Sequence, residues 1–61
     1  MKYFVEYNAK YIAEYKTIKG CINLINKKQL KDDENNCLCI IDENGVVYSP
    51  ITGDVIELYN E

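Results

Sequence analysis

Between Thr17 and Lys31 the apolar residues Ile18, Cys21, Ile22 and Ile25 recur at helical spacing, while Lys19, Asn23, Asn26, Lys27 and Lys31 fall on the opposite side. This pattern predicts one amphipathic helix over Thr17 to Lys31. Thr17 is its expected N-cap, because its hydroxyl can accept a bond from an orphan amide one turn on. Lys27, Lys28 and Lys31 lie near the expected C-terminus, where the helix dipole favours cations.

The segment before the helix admits two periods. Tyr3, Tyr7, Tyr11 and Tyr15 are spaced by four, which suits one stripe of a helix and equally one face of a strand. Composition decides for strands, since Tyr, Phe, Val, Ile and Thr fill nine of the seventeen positions from Lys2 to Ile18. Strands over Lys2 to Tyr7 and Tyr11 to Thr17, joined through Asn8, Ala9 and Lys10, would set Tyr7 beside Tyr11, Val5 beside Ala13 and Tyr3 beside Tyr15. All four tyrosines would then share a face, with Phe4, Glu6, Ile12 and Glu14 on the other.

After the helix, Lys31-Asp32-Asp33-Glu34-Asn35-Asn36 reads as a solvated breaker: the acids oppose the dipole and Asn tolerates the left-handed conformation that ends helices. Cys37 to Asp42 reads as a short buried strand. Asn44-Gly45 is a strong hairpin signal, Val46 to Ser49 returns antiparallel, Pro50 and Thr52-Gly53-Asp54 make a second turn, and Val55 to Tyr59 forms a last strand. The expected architecture is a single small domain over residues 1–61, α+β in class, with a small antiparallel sheet in β-β-α-β-β-β order and one helix packed on one face.

At 61 residues the core is necessarily thin, because a chain of this size buries only about 60% of the surface its unfolded form exposes. Small domains recover stability through disulfides, metals or association. The three cysteines Cys21, Cys37 and Cys39 cannot all pair within one chain, and the opening residues do not read as a secretory leader. A reducing, cytoplasmic setting is expected, with the thiols as buried apolar filler and a homodimer as the remaining route to stability. The chain has no His and no C-x-x-C pair, so no metal site and no cofactor are expected. No apolar run reaches the roughly 20 residues needed to span a bilayer, so no membrane partner is expected.

Charge changes the picture most. All seven lysines fall in residues 1–31 with only Glu6 and Glu14 against them, whereas residues 32–61 hold eight acids and no base, for a net charge of -3. Such asymmetry either neutralises itself within the fold or marks an interaction surface. The acidic residues Asp32, Asp33, Glu34, Asp42, Glu43, Asp54 and Glu57 would then engage a basic groove on a larger host protein. The competing surface is a nucleic-acid platform made by Lys19, Lys27, Lys28 and Lys31 together with Tyr7 and Tyr11. The acidic balance and the absence of Arg argue against it.

No catalytic residues emerge. Without His, with carboxylates placed in turns, with isolated glycines and with apolar neighbours around Cys39, the chain lacks the pairings that general acid-base, nucleophilic or phosphate chemistry needs, and it is expected not to be an enzyme. Phe, Tyr, Met, Ile, Asn and Lys account for 30 of the 61 residues, a usage that points to an A/T-rich genome. In size, inferred origin and lack of catalytic residues the chain resembles the accessory proteins of phages and mobile elements, a group that includes inhibitors of host defence such as anti-CRISPR proteins. The resemblance rests on general character, carries no motif and transfers no site residues.

Overall fold

The computed structural model describes residues 1–57. It contains five strands, β1 (Tyr3–Tyr7), β2 (Lys10–Tyr15), β3 (Leu38–Asp42), β4 (Val47–Tyr48) and β5 (Val55–Glu57), with one helix, α1 (Ile18–Lys28), between β2 and β3. The strand expected over Val55 to Tyr59 is described as far as Glu57, and its last two positions lie outside the described residues. The sheet order is β2-β1-β3-β4-β5, and every neighbouring pair is antiparallel. Because β2 and β3 both run antiparallel to β1, they run parallel to each other, and α1 is the crossover that parallel strands require. The α+β class and the element order match the sequence pattern.

Asn8 and Ala9 form a two-residue turn between β1 and β2, both with positive φ, 54° and 66°. This matches the right-handed twist of a hairpin, in which Asn-Gly is the favoured pair. Ala9 tolerates the left-handed region poorly because its Cβ crowds the following carbonyl. Ala9→Gly is therefore expected to stabilise the protein by about 0.5–1 kcal/mol, seen as a melting temperature higher by a few degrees in thermal denaturation. A lower melting temperature would show that the turn does not bear this strain.

The register confirms Tyr3 opposite Tyr15 and Val5 opposite Ala13, but not the third expected pair. A bulge lets Ile12 drop out of the ladder, so Tyr11 faces Glu6 and Lys10 faces Tyr7. One extra residue in a strand reverses the faces of the side chains beyond it. Tyr3, Tyr7 and Tyr15 pack under the helix, whereas Tyr11 lies on the far face, its ring centroid 6.0 Å from that of Phe4.

Thr17 is the N-cap: its Oγ1 accepts the Gly20 amide at 3.0 Å. The helix ends at Lys28 rather than Lys31, because Gln29 turns left-handed (φ 56°). Its amide donates to the Asn26 carbonyl at 3.2 Å, and that of Leu30 to the Ile25 carbonyl at 3.0 Å. These two bonds satisfy two of the last four carbonyls and swing Leu30 back onto the core, leaving Lys31 in the following loop.

The core is small: Val5, Cys21, Ile25, Leu38 and Ile40 are buried, with Ile18, Ile22, Leu24, Leu30 and the inner tyrosines packed around them. Cys21 and Ile25, not Ile22, occupy the middle of the helix's inner face. Ile22 sits nearer the rim, under the turn that joins β4 to β5. Gly53 there has φ 82°, and a Cβ on it would lie 3.0 Å from Ile18 and 3.3 Å from Ile22, so glycine is the residue that lets this turn close over the helix.

Candidate interaction surfaces

The acidic residues grouped by the sequence do not form one patch. β3 separates them, with Asp32, Asp33, Glu34 and the β4–β5 turn bearing Asp54 at its Leu38 end, and Asp42 and Glu43 at the other. Four of the seven bind within the protein. Asp32 accepts the Leu38 amide at 3.1 Å. Asp33 accepts the amides of Asn35 and Asn36, both at 2.9 Å, which folds the loop after the helix into an Asx turn. Glu43 accepts the Lys2 amide at 2.7 Å. Asn8 then fastens the same loop to the first hairpin, its Oδ1 accepting the Cys37 amide at 2.8 Å.

Asp42 is a correction to the acidic surface. It is only 4% exposed, because the strand alternation that turns Leu38 and Ile40 inward turns Asp42 inward as well. Its Oδ2 accepts the Tyr48 hydroxyl at 2.7 Å, and its Oδ1 accepts the amides of Asn44 at 2.8 Å and Val46 at 3.0 Å. The carboxylate thus closes the β3–β4 hairpin, whose Gly45 has φ 87°. Burial alone would push the Asp42 carboxyl up, but the bonds from Tyr48, Val46 and Asn44 outweigh it and hold it below its ordinary value. The same contact pushes the Tyr48 hydroxyl up to about 12, the Asp42 bond first and burial second.

Glu34 and Asp54 remain as exposed carboxylates that accept no hydrogen bond among the described residues. Glu57 closes β5, and its side chain lies outside the described residues. Beside Asp32 a groove of about 470 Å³ opens between the end of α1, the start of β3 and the β4–β5 turn. Ile25, Leu30, Leu38, Pro50 and Ile51 supply its apolar wall, and Ile51 is 79% exposed. Lys31 and Asp32 mark its polar rim.

Lys19, Lys27, Lys28 and Lys31 are all exposed. The tyrosines expected to accompany them are not together: Tyr7 packs on the core and Tyr11 stands on the far side of the sheet. No two-ring platform joins them to the lysine helix. Among the described residues one ion pair occurs, Lys2 to Glu14 at 3.8 Å, and both partners belong to the lysine-rich half. The two oppositely charged halves are therefore not stitched together by ion pairs among the described residues.

The cysteines also separate. Cys21 is core filler, as expected, but Cys37 is exposed before β3 and Cys39 is half-buried on the face away from the helix. Burial pushes both the Cys21 and Cys39 thiols up, and the Glu6 carboxylate adds to the effect at Cys39, so the nucleophilic thiolate is disfavoured at both. Among the described residues no three Cys, Asp or Glu side chains gather as a metal site, and no helix is long and apolar enough to cross a membrane. Comparisons with protein families, with curated proteins and with solved structures found no match, so the surfaces rest on their own geometry.

Proposed function

We propose that this protein is a non-enzymatic binding module that engages a basic surface of a larger host protein through the exposed carboxylates of Glu34 and Asp54. The observation that carries this reading is that the side chains of Glu34 and Asp54 are exposed and engage no hydrogen bond or ion pair among the described residues, where the one ion pair joins Lys2 to Glu14. Charge left unpaired on a surface remains available to steer a partner. Glu34 and Asp54 are exposed on the same two loops that supply Asp32 and Ile51 to the lining of the apolar groove. An apolar anchor beside unengaged charge is the composition of a protein contact. The A/T-rich residue usage, together with the general resemblance to phage accessory proteins, makes inhibition of a host protein, of the anti-defence kind, the setting we favour.

The test is affinity capture from the natural host, comparing the wild type with Glu34→Lys, Asp54→Lys and with Lys27→Glu, Lys28→Glu. None of these four side chains holds a hydrogen bond among the described residues, so folding should be preserved. The acid reversal is expected to lose the captured protein at least about tenfold in yield, and the lysine reversal to keep it. Capture of nucleic acid that depends on Lys27 and Lys28 would replace this reading with the nucleic-acid one.

A further inference from the structure

An antiparallel sheet with one solvated face ordinarily alternates apolar inward and polar outward. The face of this sheet away from α1 breaks that rule. Phe4 on β1 pairs with Ile41 on β3, which pairs with Val47 on β4, and the Tyr11 ring from β2 lies against Phe4, so an apolar row crosses four strands. At the usual strand spacing the row is about 14 Å long. Phe4, Ile41 and Val47 are half-buried by one another, while Tyr11 is 60% exposed.

Glu6 is set into this face, opposite Cys39 on one side and Tyr11 on the other. Glu14 already has Lys2 at 3.8 Å and the Tyr11 hydroxyl at 3.4 Å, whereas Glu6 has no ion pair among the described residues. Anything apolar laid over the row removes water from Glu6, and a cation delivered with it offsets that cost. A second copy stacked face to face would bring a second Glu6 to the same patch, with its Lys2 already beside Glu14, and a copy docked through its lysine helix is read by the sedimentation arm of the experiment.

We propose that this open sheet face docks a partner segment carrying apolar side chains and a lysine or arginine placed over Glu6. The proposal rests on the protein-binding reading but uses a different surface from the acidic loops, so the two can fail separately.

The experiment is an amide NMR titration of the full chain with three synthetic amphipathic peptides built from Leu with Lys, Leu with Gln, and Leu with Glu. The Lys peptide is expected to shift Phe4, Glu6, Ile41 and Val47 saturably and the Glu peptide not at all. Glu6→Gln should weaken the Lys peptide by about tenfold, the order expected for loss of a desolvated charge partner. Glu34→Lys, Asp54→Lys should leave it within about twofold of the wild type. Shifts confined to the acidic loops, equal affinity for the Gln peptide, or a wild-type dimer in sedimentation that Val47→Asp dissociates would each overturn the proposal. Persistence of this binding after the acid reversal has failed to change host capture would sink the acidic-loop reading alone.

Discussion

Protein carrying Ile25→Asp is expected to show no cooperative thermal melt and a circular dichroism spectrum without the helix. Ile25 is 3% exposed and lies among Val5, Cys21, Leu38 and Ile40, where an aspartate finds no partner. Burying an unpaired polar or charged group costs several kcal/mol, and the lost isoleucine adds about 2–5 kcal/mol of packing and cavity terms. A domain of this length has only about 3–9 kcal/mol in reserve. Ile22→Asp should be milder, since Ile22 is half-buried near the rim and its substitute can turn toward water. A near-normal melt for Ile25→Asp would remove the helix-on-sheet core on which the fold depends.

The second large effect belongs to Asp42. Asp42→Ala strips the acceptor from Tyr48 and from the amides of Asn44 and Val46. Asn44 is exposed and its amide can turn to water, so with the other two donors costing about 1–3 kcal/mol each, a loss of about 2–6 kcal/mol is expected in urea denaturation. The pH dependence has a definite sign. Because the folded state holds the Asp42 carboxyl below its ordinary value, its contribution is present above about pH 4 and is lost as pH falls through the lower folded value. Tyr48 acts at the other limb: with its hydroxyl raised to about 12, its contribution is complete below about pH 10 and disappears as pH rises through about 12. Asp42→Asn should therefore flatten the acid limb of the stability profile, and Tyr48→Phe the alkaline limb. A wild-type acid limb unchanged by Asp42→Asn would contradict this assignment.

Asp42 also marks where the sequence could have been read further. In Asp42-Glu43-Asn44-Gly45 it looks like one more solvated turn residue, yet it continues the period of two set by Leu38 and Ile40, and that period placed it inside. Its partner Tyr48 lies six residues on, across the hairpin, where no local pattern points. The helix start was legible because a Thr cap acts locally. The helix end was not, since Gln29 adopts a conformation usually left to Gly or Asn, and it does so with Leu30 packed on the core. The four-residue tyrosine spacing was misleading for a similar reason: the bulge at Ile12 changes the face of Tyr11 without any glycine to announce it. Strand order and the uncovered face of Phe4, Ile41 and Val47 depend on which strands meet, a long-range property that periodicity does not contain.

The exposed carboxylates of Glu34 and Asp54 should draw a basic partner to this protein, and the association rate with the captured host protein reads that attraction without intermediate steps. Followed across ionic strength, the wild-type rate is expected to fall steeply as salt rises. Glu34→Lys, Asp54→Lys should associate at least about tenfold more slowly at low salt, the two proteins converging at high salt. Equal rates for the two at every ionic strength, or a rate governed instead by Lys27 and Lys28, would contradict Glu34 and Asp54 as the docking carboxylates.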